Sequence, residues 1–456
     1  MVSKIHKLIE SVRVKNSEHI EAVNKDLFKL LCDEKFFVLV RNEIIVENKY
    51  KFSSKELSIF NLQSEFIVKD LVNELKDQRF EFTTNGLNNK IPLETYVTKD
   101  KLVEKAILII IESIYAPVLL KYKNGSKQYK GFTDPLLEIR KNWVDLKWGI
   151  EGRIHRLHEK VDHHILISIL RMKIQDERFI QLIWKLIQRG QDEKTNKFGL
   201  MSMSIDSEIL VDIYLNEFDL FVEKLINTYK SSYSIEKNFF DKKLRQYCHR
   251  LTILRSHPSS AYSILPFGRS KSHLSDHFIV LKVVRYSGHL IIGIKGPKLF
   301  AEIMTAKIKS YLYSSLNLRI WSETQTIKRF STGYIDFLGY NIKPSQVSKS
   351  KLELFVPTQK IIHMLSEENF SDKSGCGIKK KGWIIYSDAL IIAKYNRIFH
   401  RFKKYYYLAS NYKIIMRRVK YIMQYSCAHT LASKHRTNVS TQISRIRLIG
   451  LFNSIF

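Results

Sequence analysis

From Ala389 to Phe456 the chain contains no aspartate or glutamate, although apolar residues recur there at helical spacing. Such a segment folds most simply as helices that bury one face and present a purely cationic other. Ile391, Tyr395, Ile398, Phe402 and Tyr405 are expected on the buried side of the first helix. Beside them Lys394, Arg397, Arg401 and Lys404, spaced three, four and three, should form a continuous cationic stripe. The next helix repeats the scheme, with Ile415, Val419 and Ile422 inward and Lys413, Arg417 and Lys420 outward. The plain alternative is a solvated helix face. Solvated faces usually mix signs, however, and a face without acids is tolerated most easily when phosphates neutralise it.

The imbalance extends to the whole chain, where 75 Lys and Arg against 45 Asp and Glu leave a net charge of +30. That surplus calls for a polyanion or an anionic surface, most commonly nucleic acid, and excludes basic partners. With 45% hydrophobic and 12% aromatic residues, general disorder is excluded as well. The 456 residues suggest about three domains. Cys32, Cys248, Cys376 and Cys427 form no C-x-x-C pair, so neither a disulfide framework nor a zinc knuckle is indicated, and a reducing compartment fits. The apolar run from Leu102 to Leu120 contains Glu104, Lys105 and Glu112, too polar for a membrane span. The charged N-terminus does not resemble a secretory signal. Scarce Gly and Pro beside abundant Lys, Ile, Asn, Tyr and Phe reflect A/T-rich codons, as in organellar genomes.

Helical periodicity dominates the first eighty residues, where Phe66, Leu71, Val72 and Leu75 fall to one side, before a loop containing Asn85, Gly86, Asn88 and Asn89. A helix from Thr98 to about Tyr115 is expected to stop at Ala116-Pro117. The run from Lys141 to Ile154 resembles a strand, His164 to Arg189 two helices broken near Gln175-Asp176, and Glu208 to Tyr229 another helix. Phe278 to Ile294 has the pattern of a β-hairpin turning at Ser287-Gly288. Short strands are expected at Tyr334–Ile342 and Leu352–Val356, followed by helices.

Five ordered blocks resemble group II intron reverse transcriptase-maturases. They are TKDKLVEKAI from Thr98, KWGIEGRIHRLHEKVDHHIL from Lys147, ILVDIYLNEFDLFVEKL from Ile209, VVRYSGHLIIGI from Val283 and IDFLGYNI from Ile335. LFVPTQKIIHMLSEENF from Leu354 is similar to the family's thumb start, and Gly382 to about Ser444 to its domain X, through Y-N-x-I, Y-S-C-A-x-T-L-A and K-H-R-T. The resemblance implies an α+β chain with a right-hand reverse-transcriptase-like fingers and palm, in degenerate form, followed by an α-helical thumb and maturase domain X. It implies an N-terminal helical extension and fingers over 1–85, degenerate fingers and palm over 86–345, and thumb with domain X over 350–456.

The departures from the family pattern bear on chemistry. Polymerases of this type hold two Mg²⁺ ions on palm carboxylates. Here the first aspartate position is Arg153, and the pair from Y-A-D-D is Gly288-His289. A guanidinium binds no divalent cation and repels one. The P-Q-G turn corresponds to Met201-Ser202-Met203, and the R-P-L-G block to Ile91-Pro92-Leu93-Glu94. Loss of reverse transcription is therefore expected, with no catalytic residue and no metal site. The counter-reading assigns metal binding to Glu151, Glu159, Asp162 or Asp276. His155, His158, His163 and His164 are expected as ordinary surface or capping residues, and Gly293, Gly296 and Pro297 as a turn.

For domain X the expected RNA contacts are Lys394, Arg397, Arg401, Lys404, Tyr405, Tyr406, Lys413, Arg417, Arg418, Lys420, Lys434, His435 and Arg436. Tyr405, Tyr406, Tyr407 and Tyr412 supply rings on which unpaired bases could stack, although at least half should be core. Thr437 could equally cap the following helix. The absence of a Cys and His cluster after His435 leads to the expectation that DNA endonuclease activity is missing. The expected function is a maturase that binds group II or group III intron RNA in pre-mRNA and stabilises the folded ribozyme. It needs no cofactor of its own, since Mg²⁺ belongs to the RNA. A homodimer and additional splicing factors remain open as partners, and no membrane is involved. The resemblance is strongest to euglenoid plastid intron maturases, which implies a plastid-encoded protein, with the mitochondrion as alternative. The rivals are a residually active RNA-directed DNA polymerase and a general organellar RNA-binding protein.

Overall fold

Helix α5 (Lys99–Lys121) is apolar on nearly every side, and a helix of that kind must be enclosed by others. Leu102, Val103, Ala106, Ile107, Ile110, Ile111 and Ile114 are all buried. Around it pack α1 (Val2–Glu18), α3 (Glu34–Asn48) and α10 (Asp206–Ser232). The computed structural model describes residues 2–19, 21–48, 66–82, 99–121, 131–189, 199–200, 206–232, 279–321, 327–345 and 352–448. The chain divides into two compact units. The first comprises Met1–Gln128, Gly152–Ile292 and Gly296–Gln325, and the second Tyr129–Glu151, Gly293–Lys295 and Thr326–Phe456.

Two expectations for the first unit need correction. Helix α5 does not stop before Pro117 but carries it inside, to Lys121. Val118 and Leu119 beyond the proline are buried, so packing of that last turn outweighs the one hydrogen bond that proline cannot donate. The helical segment 66–76, α4, buries Leu71, Val72 and Leu75, but Phe66 at its start is 86% exposed. The loop expected from Asn85 to Asn89 lies outside the described residues.

The short α2 (Phe28–Leu31) precedes α3. After β1 (Trp148–Ile154) come α7 (Leu157–Lys160), α8 (His163–Arg171) and α9 (Glu177–Gln188). The break between α8 and α9 falls where the sequence indicated it. Asp162 caps α8 by accepting from His164 N and Ile165 N, and Asp176 caps α9 by accepting from Phe179 N. Strands β2 (Val280–Tyr286) and β3 (His289–Lys295) flank the two-residue turn Ser287-Gly288. Ser287 occupies the left-handed region at φ 50°, as tight hairpin turns require. Helix α11 (Lys298–Leu316) leads into β4 (Ile320–Trp321), and the strand order is β2-β3-β1-β4.

Arg285 on β2 is buried, and its Nε and Nη2 donate to the two carboxylate oxygens of Asp219 on α10 at 3.0 and 2.5 Å. Asp212, two turns before on the same helix, lies 3.8 Å from the guanidinium. Burial alone would lower the Arg285 pKa, but these carboxylates hold it above the ordinary value.

In the second unit α6 (Thr133–Asn142) precedes the first half of β1, which pairs with β5 (Lys328–Arg329). Strands β6 (Ile335–Phe337), β7 (Tyr340–Pro344) and β8 (Leu352–Phe355) form an antiparallel sheet, with Ile335 opposite Ile342 and Ile342 opposite Leu354. Four helices follow: α12 (Thr358–Glu367), α13 (Asp388–Tyr406), α14 (Tyr412–His435) and α15 (Val439–Leu448). Among the described residues no helix is long and apolar enough to cross a membrane. Because removing one partner of a buried ion pair strands the other charge, Asp219→Ala should lower stability by about 3–5 kcal/mol in urea unfolding. The double variant Asp219→Leu with Arg285→Met should recover most of that loss.

Candidate nucleic-acid interface

The two longest helices of the second unit, α13 and α14, pack against each other. Between them the Tyr395 hydroxyl lies 2.9 Å from both Ser426 Oγ and Thr430 Oγ1. Burial pushes the Tyr395 pKa up to about 12, so it stays a neutral hydrogen-bonding group. Ser426 Oγ also donates to the Ile378 carbonyl at 2.6 Å, and Lys380 N donates to Thr430 Oγ1 at 3.0 Å. The segment at 377–380 can reach α14 because Gly377 has no side chain. A Cβ there would fall 2.6 Å from Ser426 N and 2.8 Å from Ile422 O.

The buried stripe of α13 is Ile391, Tyr395, Phe399 and Tyr406, not the expected run through Ile398, Phe402 and Tyr405, which are half-buried. Spacings of four, four and seven rotate the inner face by one residue, since Tyr395 is drawn toward Ser426 and Thr430. On α14, Ile415, Val419 and Ile422 are buried as expected, together with Met416, Met423 and Cys427.

Arg397, Arg401, Lys404, Lys413 and Arg417 are exposed, and Lys420 is half-exposed. Lys394 is held from below, its ammonium 4.5 Å from the ring centre of Tyr386 and 5.2 Å from that of Trp383. Arg418 donates to the Ser374 carbonyl at 3.0 Å and lies over the Tyr421 ring at 5.5 Å. Lys434 and His435 contact the two oxygens of Asp388, the first residue of α13, at 2.6 and 2.7 Å. Hydrogen bonding from Lys434, with His435 beside it, holds the Asp388 carboxyl below its ordinary value against the smaller effect of burial. Arg436 is exposed and ends α14 in the left-handed region at φ 53°.

Grouping Tyr406 with the stacking candidates needs correction, because it is buried and its hydroxyl contacts Met364 Sδ at 3.6 Å. Tyr405 is half-buried, stacks on Phe132 with ring centres 4.4 Å apart, and donates to the Leu338 carbonyl. Tyr407 is half exposed. The Asp388 clamp and the aromatic bed under Lys394 were missed in sequence because Trp383, Tyr386 and Asp388 lie before the periodic segment. Ser426 and Thr430, four apart within Y-S-C-A-x-T, were the available signal for the Tyr395 contact.

In the first unit, Arg153 is exposed on β1 opposite Trp321, and Ile154 N donates to Gly288 O at 2.8 Å. The three positions compared with metal-binding aspartates, Arg153, Gly288 and His289, thus come together at the end of β1 and the β2-β3 turn. A Cβ on Gly288 would lie 2.9 Å from the Ile154 carbonyl oxygen. Glu151 accepts from Lys328 at 3.1 Å and from Asp336 N at 2.8 Å. Glu159 pairs with Arg156 at 3.3 Å, and Asp162 caps α8; Asp276, Met201-Ser202-Met203 and Ile91 to Glu94 lie outside the described residues. His155 and His164 are exposed, His158 is half-buried, and His163 is buried with Nε2 2.6 Å from the Gly199 carbonyl oxygen.

Residues 349–453 match the family model for the type II intron maturase, a span that includes α12 to α14 and the whole cationic surface. These residues are thus similar to a maturase domain, and the similarity to group II intron maturases extends over most of the chain. It is 28% identical to the group II intron-encoded protein LtrA of Lactococcus lactis, over 96% of this chain and 80% of that one. Maturase K of Angiopteris evecta is 23% identical over 93% of this chain and 88% of its own. The putative COX1/OXI3 intron 1 protein of Saccharomyces cerevisiae is 24% identical over 94% and 55%.

The Asp388 clamp gives this maturase-like domain a defined acid response. Because the folded carboxyl titrates below its ordinary value of 3.8, its stabilisation is complete above that value and is lost as pH falls through the lower folded one. Asp388→Asn should therefore unfold more easily than the wild type at neutral pH and show a flatter acid limb in urea titrations at stepped pH.

Proposed function

We propose that this maturase-like protein binds group II or group III intron RNA through the outer faces of α13 and α14 and assists its splicing without reverse transcription. The observation that carries the reading is the charge of those faces. Arg397, Arg401 and Lys404 project from one side of a helix whose other side buries Ile391, Tyr395, Phe399 and Tyr406, within a segment that has no acid from Ala389 onward. Phosphates spaced along a folded RNA neutralise such a row, and the counterions they release supply the affinity. The intron RNA then provides the Mg²⁺ ions and performs the transesterifications, while the protein holds its fold.

Loss of polymerase chemistry is supported by the palm. At the end of β1 stands a fixed guanidinium, Arg153, and the turn carries Gly288, where any side chain would press on the Ile154 carbonyl. Glu151, Glu159 and Asp162, the carboxylates best placed to substitute, are each engaged in a structural contact. The abundance of Lys, Ile, Asn, Tyr and Phe, whose codons are A/T-rich, and the maturase K relatives support organellar encoding, in a plastid.

The triple variant Arg397→Ala, Arg401→Ala and Lys404→Ala should weaken binding to an intron transcript and reduce the salt slope of log K by about 2 to 3. Filter binding across a salt series measures both, and an unchanged slope would remove the stripe from the interface. In a primer-extension assay with Mg²⁺ the purified protein should give no product, whereas extension would restore the polymerase reading.

A further inference from the structure

The outer face of α14 differs in kind from that of α13. Ile414, Arg418, Tyr421 and Tyr425 follow at intervals of four, three and four, which places them in one row along the helix. Ile414 is 61% exposed and Tyr421 39%. The rings of Tyr421 and Tyr425 lie 4.4 Å apart, centre to centre, at 38°. The Arg418 guanidinium lies over the Tyr421 ring, 5.5 Å from its centre, and its bond to the Ser374 carbonyl fixes it there. The row is thus held in place before any ligand arrives, which lowers the conformational cost of using it. Lys413, Arg417 and Lys420 flank it on one side. On α13, by contrast, the exposed positions Arg397, His400, Arg401 and Lys404 include no tyrosine, tryptophan or phenylalanine.

We infer that α14 takes an unpaired RNA nucleotide, its base packed on the exposed ring of Tyr421 and its phosphates on Arg417 and Lys420, while α13 contacts only phosphate backbone. This rests on the RNA-binding reading above and adds to it a division by RNA form. A base has an apolar π-face that fits an aromatic row, and a phosphate on either side of it matches the flanking cations. A paired stem offers phosphates but keeps its base faces stacked inside, so it satisfies α13 and leaves Tyr421 unused. A protein partner would need acidic residues to match Lys413, Arg417 and Lys420, and this segment of the chain supplies none to a second copy of itself.

The test uses the full chain and two probes, a fully paired RNA stem and the same stem with a short adenosine bulge that carries 2-aminopurine. Wild type should bind the bulged stem more tightly and quench the 2-aminopurine fluorescence. Tyr421→Ala should lose about tenfold in affinity for the bulged stem, with its salt slope unchanged because no charge is removed, and should keep its affinity for the paired stem. Tyr421→Phe should behave as wild type, and matching melting temperatures confirm that each variant is folded. Equal weakening on both probes, retained quenching in Tyr421→Ala, or no bulge preference in the wild type overturns the inference while leaving RNA binding intact. If Tyr421→Ala changes only self-association in sedimentation, the face belongs to a second copy of the chain, which also overturns it. If wild type binds neither probe nor an intron transcript, the RNA-binding reading itself fails.

Discussion

Helices that carry only positive charge outside must be held together by what lies between them. In water two cations about 10 Å apart repel by about 0.4 kcal/mol before screening, and salt reduces that further. Burying one large aromatic side chain contributes about 1.5–3 kcal/mol. Between α13 and α14 the buried set includes Tyr395, Phe399, Ile415, Val419 and Ile422, so packing outweighs repulsion several times over. Apolar contact alone, however, would not fix which faces turn outward. The Tyr395 hydroxyl does, since it must sit at Ser426 and Thr430 or lose hydrogen bonds in a dry interior. That one contact sets the rotation of α13, and thereby decides that Arg397, Arg401 and Lys404 face solvent.

The single acid at the edge of this region has a matching role. Asp388 opens α13, where a negative charge favours the helix N-terminus, and it gathers Lys434 and His435 from the end of α14. One carboxylate therefore closes the far end of a helical pair that otherwise has only like charges. The cations it engages are those nearest the helix ends, and the row along the middle of α13 stays exposed to solvent.

Much of this was legible in the sequence because periodicity reports burial. Ile415, Val419 and Ile422 were read correctly from spacing alone, as were the hairpin at Ser287-Gly288 and the break at Asp176, where capping and turn chemistry are local. The failures share a cause. Pro117 inside α5 and the shifted inner face of α13 are both decided by partners distant in sequence: the enclosing helices in the first case and Ser426 with Thr430 in the second. The second unit's links between Glu151, Lys328 and Asp336 were invisible for the same reason, as they join residues nearly two hundred positions apart.

The sheet of the first unit illustrates how side chains at a rim can vary without cost to the fold. Two of the positions compared with metal-binding aspartates lie at a rim, where Arg153 is exposed and His289 is half-buried, so side-chain identity at these two contributes little to folding. What holds the hairpin is the Arg285 pair with Asp219, together with Val283, Val284, Ile291 and Ile292 in the interior. A change at Arg153 or His289 leaves those contacts untouched, whereas a change at Asp219 would leave the Arg285 charge uncompensated in the core. Glycine at 288 goes one step further, because it lets the turn approach the Ile154 carbonyl more closely than any side chain would permit. Placing a carboxylate at that position would require the turn to move, because its Cβ would lie 2.9 Å from that oxygen.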